Sequence, residues 1–230
     1  MKNLVEPIKD KKLVEEVEKY LAKQSLRNQL IWVFGCNTGL RISDILGLNV
    51  EDVDGKSFIE IREKKTGKYK RFPLNNKLQR LIKEYLVERA KTYSVTGDNP
   101  LFIGKKHYRL DRSQVYRFIN DACKALDIAV NVGCHTMRKN FGLHFYKQYN
   151  NIALLQKIFQ HSAPSITLRY IGITQEYAVI QTGKNKDEIL SPKLEKEIKD
   201  NFDSINYKKI FQDIFNNVQY TDYLSLPEIL

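Results

Sequence analysis

Six side chains in this 230-residue sequence could do chemistry together: Arg41, Lys65, His135, Arg138, His161 and Tyr170. Two guanidiniums offer paired donors that match the oxygens of an anion such as phosphate, and they hold their charge at physiological pH. A histidine near neutrality can take up and return a proton. A tyrosine hydroxyl, with a pKa of about 10, is roughly one part in a thousand ionised at pH 7 and needs such help to attack anything. Taken singly, each residue has a plain reading. Arg41 follows a turn, Lys65 sits in Lys65-Thr66-Gly67-Lys68, His161 precedes a helix, and Tyr170 is one of 13 tyrosines. His135 and Arg138, three apart at a predicted helix start, share one face.

The elements that must position them are mostly helical. Asp10 is a predicted cap for a helix with apolar residues at Leu13, Val14, Val17 and Leu21. Ser25 opens a second through Phe34, ended at Asn37-Thr38-Gly39 with Gly39 left-handed. Ile42–Leu48 reads as another. The period then changes to two over Ser57–Arg62, with a tip at 64–68 and a return strand Tyr69–Leu74, in which Pro73 suits an edge. A helix around Leu78–Leu86 follows, then a short apolar run Leu101-Phe102-Ile103 and a helix capped by Ser113. Three further helices cover Thr136–Tyr149, Ile152–Phe159 and Pro164–Ile171, with Pro164 in a first turn. The expected class is α+β: mainly α-helical, with a small antiparallel sheet of about three strands and a helical C-terminal tail.

Charge divides the chain. There are 38 basic and 27 acidic residues, a formal +11. Residues 184–230 hold seven basic and nine acidic groups, so residues 1–183 carry +13. We therefore expect a working domain over 1–183 and a separate tail over 184–230. A surplus of this size suits a polyanionic partner, most often nucleic acid, although a merely soluble basic protein fits as well. The three cysteines, Cys36, Cys123 and Cys134, are odd in number and lack CxxC spacing, which fits a reducing cytoplasm better than a disulfide scaffold or zinc site. The apolar runs are too short for a membrane span and no signal-peptide core is visible, so a cytoplasmic protein is expected.

In order and spacing the set resembles the tyrosine recombinase, or phage integrase, family. The motifs read TGLRISDIL at 38–46, KKTGKYKRFPL at 64–74, HTMRKNFG at 135–142 and QHSAPSITLRYIG at 160–172. Gln160 stands where the family usually has Gly, Asp44 where Glu is commoner, and Met137 where Leu is usual. The resemblance implies that Tyr170 is the nucleophile and that Arg41 and Arg138 hold the scissile phosphate. It implies that His135 is the acid/base histidine, that Lys65 protonates the leaving 5′-oxygen, and that His161 hydrogen-bonds the phosphate. It further implies double-stranded DNA as partner, a dimer or tetramer on that DNA, and chemistry that uses no cofactor and no metal. The sequence has no acidic cluster with metal-ligand spacing.

Family members usually carry a helical core-binding domain ahead of the catalytic one, and only a short segment stands there in this sequence. A single-domain form is the expectation, with an accessory DNA-binding protein as a candidate partner for a half-clamp. In the tail, Leu194, Ile198, Phe202 and Ile205 recur at helical steps. They cover either the chain's own body or a neighbouring protomer. Two further functions stay open beside strand exchange: a DNA-relaxing topoisomerase or hairpin resolvase, and a non-enzymatic DNA-binding regulator. All six positions are filled, which disfavours the regulator.

Overall fold

The computed structural model describes residues 4–62, 69–104 and 107–173. Lys65 and the whole tail 184–230 therefore lie outside the described residues. Within them the chain forms eight helices and one two-stranded antiparallel sheet.

Helix α1 (Lys11–Gln24) starts where the Asp10 carboxylate accepts the Lys12 amide at 2.8 Å, and it buries Val14, Val17 and Leu21. Helix α2 (Leu26–Thr38) follows Ser25, whose side chain makes no capping bond. Its run Leu30–Phe34 is completely buried. A helix that is apolar all round belongs in the middle of a core. Gly39 ends it at φ 64°, a left-handed conformation that glycine adopts without steric cost. Helix α3 (Ile42–Gly47) starts immediately after Arg41.

Strands β1 (Phe58–Arg62) and β2 (Tyr69–Pro73) pair from Phe58↔Pro73 to Arg62↔Tyr69, with Ile59 turned into the core. The sheet has two strands rather than about three. The run Leu101–Ile103 forms no strand; it ends in one isolated bridge, Ile103↔Arg109, and another, Asn49↔Pro100, just precedes it. Its backbone pairs across only at the Leu101 amide, with Leu48, and the Phe102 carbonyl, with Leu110; the Leu101 carbonyl accepts from Arg89 and Tyr85, and that of Ile103 from Arg27.

Helix α4 (Asn76–Ala90) is capped by Asn75, which accepts the Leu78 amide at 2.8 Å. Helix α5 (Arg112–Ala125) is capped by Asp111, not by the expected Ser113. The Asp111 carboxylate accepts the Ser113 amide at 2.7 Å, so the helix begins earlier than its first apolar residue suggests. Helices α6 (Cys134–Tyr149), α7 (Ile152–Phe159) and α8 (Pro164–Tyr170) complete the described chain.

Two apolar clusters hold these elements. The larger joins α1 to α5 around α2 and reaches Met137 on α6. The smaller, with Phe141, Phe145, Leu155, Phe159, Leu168 and Ile171, ties α7 and α8 to the rest of α6. Helix α6 thus belongs to both. It lies close on α2: a β-carbon at Gly35 would stand 2.7 Å from Met137 Cβ, and one at Gly39 would collide with the Phe141 ring. This crossing sets the end of α2, and Arg41 just beyond it, beside Arg138 on α6.

Gly39→Ala combines a positive φ with that collision. It is expected to lower stability by at least about 2 kcal/mol, from left-handed strain plus overpacking. Urea unfolding measures this; a loss below about 0.5 kcal/mol would show that the α2–α6 crossing can relax.

Candidate active site

Arg138 is the most constrained of the candidate side chains. It is 6% exposed, on the second turn of α6. One terminal nitrogen donates to the carbonyl of Gly39 and the other to that of Phe159 at 3.1 Å. These carbonyls sit at the C-terminal ends of α2 and α7, where unpaired C=O groups carry partial negative charge. The guanidinium also stacks on the Phe159 ring, 4.3 Å from its centroid. Burial pushes the Arg138 pKa down to about 10, still far above neutrality, so the cation persists. Two of its five N–H groups serve the helix ends, and the others remain for the site.

Arg41 is exposed at the start of α3. Its charge reaches His135, Arg138, His161 and Tyr170. His135 lies in the first turn of α6, with Nδ1 3.2 Å from the Tyr170 hydroxyl. His161 follows Gln160, which ends α7 at φ 56°, the left-handed conformation glycine favours. The His161 ring packs edge-on against Tyr170, with centroids 5.1 Å apart, and its Nδ1 is 3.0 Å from Thr167 Oγ1. Tyr170 is the last residue of α8, anchored by its neighbours Leu168 and Ile171. Five of the six candidates therefore meet at the junction of α2, α6, α7 and α8; Lys65 is the one outside the described residues.

The electrostatics follow from burial among cations. The His135 pKa is lowered, first by burial and then by Arg112, Arg138, Lys139 and Arg41. That of His161 is lowered by burial, Arg138 and Arg41. Both imidazoles are therefore neutral at pH 7 and able to accept a proton. The Tyr170 pKa is raised by burial, against the opposing charge and hydrogen bond of Arg138 and the charge of Arg41. The hydroxyl is protonated at rest. With the lone pair of His135 on Nδ1, Tyr170 donates to it, the geometry of a phenol beside its general base. Among the described residues no group of three or more His, Cys, Asp or Glu could hold a metal, and no helix is long and apolar enough to cross a membrane.

Residues 7–176 match the model of the phage integrase family. The chain belongs to that family. The "probable integrase/recombinase YoeC" of Bacillus subtilis is 38% identical over 175 residues, covering 76% of this chain and 93% of YoeC. Tyrosine recombinase XerA of Pyrococcus furiosus is 30% identical, over 73% of this chain and 56% of XerA. Tyrosine recombinase XerC of Thermodesulfovibrio yellowstonii is 28% identical, over 66% and 52%. The chain thus spans most of YoeC but about half of these Xer relatives. The same fold occurs in a solved XerA recombinase, TM-score 0.64 at 21% identity, covering 79% of this chain and 67% of that one. It occurs also in XerH bound to palindromic difH substrate, TM-score 0.62 at 22% identity, covering 76% and 51%. Family membership supports a site-specific recombinase function.

Three residues of this candidate site were not singled out by the sequence. Lys139 is 8% exposed, with its ammonium 4.9 Å from the Tyr170 ring centroid. Thr167 is fully buried beside His161. Gln156 holds the His161 backbone, accepting its amide at 3.1 Å and donating Nε2 to its carbonyl at 3.1 Å. A lysine directly after Arg138 on an inward-facing helix was the available signal for Lys139; the other two had none.

A pH dependence follows. His144, on α6, has its pKa lowered by burial to about 4, and its Nε2 is buried without a partner. In the unfolded chain imidazoles protonate near about 6.5. Between there and about 4 the unfolded chain binds more protons than the fold, through His135, His144 and His161. Stability is therefore expected to fall as pH falls through that window. Urea unfolding across it should show this slope, reduced in His144→Gln; a flat profile would mean these imidazoles are solvated.

Proposed function

We propose that this chain is a site-specific DNA recombinase that cuts and rejoins strands through a 3′-phosphotyrosine link. The observation that carries the reading is the contact of the Tyr170 hydroxyl with His135 Nδ1 at 3.2 Å, beside the buried Arg138. Arg41, His135, Arg138, His161 and Tyr170 are the proposed catalytic residues, with Lys65 as the sixth.

In the first step the Tyr170 oxygen attacks the scissile phosphorus while its proton passes to His135. The bond to the 5′-oxygen breaks, and that oxygen takes a proton from Lys65. The remaining donors of Arg138, with Arg41 and His161, hold the phosphate as charge grows on its oxygens; one such donor is typically worth about 10²–10³ in rate. One phosphate ester replaces another, so religation to a different 5′-hydroxyl needs no ATP. The arginines and Lys65 supply the positive charge that a metal would supply elsewhere. Double-stranded DNA is the proposed substrate, consistent with the +13 of residues 1–183. Oligomers on DNA are proposed as well, as in the λ integrase dimer bound to its core site, a structure of the same fold.

Nicked duplexes of varied sequence should trap a covalent protein–DNA adduct with the unmodified protein and none with Tyr170→Phe, DNA affinity being nearly unchanged. Adducts formed by the variant would point to another nucleophile. Arg138→Ala or Arg41→Ala should slow adduct formation by at least about 10²-fold.

Lys65→Ala should slow cleavage too, because the 5′-oxygen leaves poorly without a proton. A 5′-bridging phosphorothioate, whose sulfur leaves as a thiolate, should largely restore the rate. Absence of rescue would remove Lys65 from the acid role and turn attention to Lys64 or Lys68.

A further inference from the structure

Thr167 sits on α8 three residues before Tyr170, and it is 0% exposed. A hydroxyl in so dry a position needs a partner. Two acceptors are near: His161 Nδ1 at 3.0 Å and the Ala163 carbonyl at 3.5 Å. The carbonyl already accepts the Thr167 amide at 3.4 Å as part of the helix. The hydroxyl has one hydrogen to give, and the nearer, otherwise unused acceptor is the ring nitrogen.

The His161 backbone is clasped on both sides by Gln156, through its amide and its carbonyl. What remains free is rotation of the ring and the choice of which nitrogen carries the proton. We propose that Thr167 is the positioning residue for His161, its hydroxyl donating to Nδ1 and so keeping the ring proton on Nε2. His161 is then a hydrogen-bond donor through Nε2. That is the form a phosphate oxygen requires, a consequence that rests on the recombinase reading above. The alternative tautomer, with hydrogen on Nδ1, would present a lone pair to the anion and repel it. Because Thr167 and Tyr170 share α8, the same short helix that carries the nucleophile also sets the ring that faces it.

The test has two arms. Nitrogen and carbon NMR of histidine-labelled protein without DNA reads the tautomer directly. His161 should be the Nε2–H form in the unmodified protein and in Thr167→Ser, with Nδ1–H appearing in Thr167→Val. An Nδ1–H form in the unmodified protein would overturn the proposal whatever the chain's function. The second arm is adduct formation on nicked duplexes. Thr167→Val should slow it about 10-fold, the scale of one lost orienting hydrogen bond, while Thr167→Ser stays within about 3-fold of the unmodified rate. A packing role predicts the reverse, since valine keeps the methyl and serine loses it; that order would sink the proposal. If no adduct forms even with the unmodified protein, the recombinase reading fails, while the tautomer arm still decides the role of Thr167. Should Thr167→Val not fold, the tautomer of the unmodified protein decides alone.

Discussion

The site depends on one buried cation. Arg138 donates to Gly39 O at the end of α2 and to Phe159 O at the end of α7. Two helix C-termini would otherwise point unpaired carbonyls at each other's neighbourhood, each with partial negative charge. The guanidinium satisfies both, and they offset part of the cost of taking it out of water. The planar fork matters, because an ammonium on a flexible stem could not span two carbonyls and still present further donors in a fixed plane. A residue proposed to bind substrate is thus also a structural bolt. The helices it joins bring Arg41 from one side and His161 from the other.

That arrangement fixes the protonation states of its surroundings. Burial, together with the permanent cations at Arg138 and Arg41, keeps His135 and His161 neutral. They also draw the Tyr170 pKa down, while burial drives it up, and burial wins. The resting hydroxyl therefore keeps its proton. A phosphate in the site would offset part of the positive charge and leave the tyrosine still harder to ionise. Under the proposed mechanism proton removal thus has to accompany attack, and a neutral base 3.2 Å from the hydroxyl is the group placed to do it. Lys139, over the face of the Tyr170 ring, adds a cation that favours a phenolate-like ring.

Much of the fold was legible because it follows local rules. Asp10, Gly39 and Pro164 act as the sequence indicates, and helices α6 to α8 fall within two residues of their apolar patterns. The misses were of two kinds. Asp111 caps α5 because its carboxylate reaches the second amide beyond it, a choice that apolar periodicity cannot resolve against Ser113. Leu101–Ile103 is as apolar as a strand, but only Phe102 accepts an amide across from it, that of Leu110, while the Leu101 carbonyl goes to Arg89 and Tyr85 and that of Ile103 to Arg27, tertiary pairings invisible in sequence. For the site, motif order found Arg41, His135, Arg138, His161 and Tyr170, which the fold gathers. It could not find Thr167 or Gln156, whose contribution depends on a ring nitrogen and a backbone that only the folded chain brings near.

Gln160 shows why a departure from a motif need not disturb a site. Glycine at that position would accept the left-handed conformation that ends α7 without steric cost; glutamine holds it at φ 56° against a penalty of about 1–2 kcal/mol. The conformation persists because it is fixed from both ends. Phe159, just before it, gives its carbonyl to Arg138 and its ring to the second core. His161, just after it, has its backbone clasped by Gln156. With both flanks tied, residue 160 has little conformational freedom left, and the side chain it carries matters less than the turn it makes. The same turn at the end of α2 does use glycine, at Gly39, and there the reason is different: the Phe141 ring occupies the space a β-carbon would need. Two helix ends with one backbone shape therefore tolerate different residues. Packing against α6, not the left-handed angle alone, decides where glycine is required.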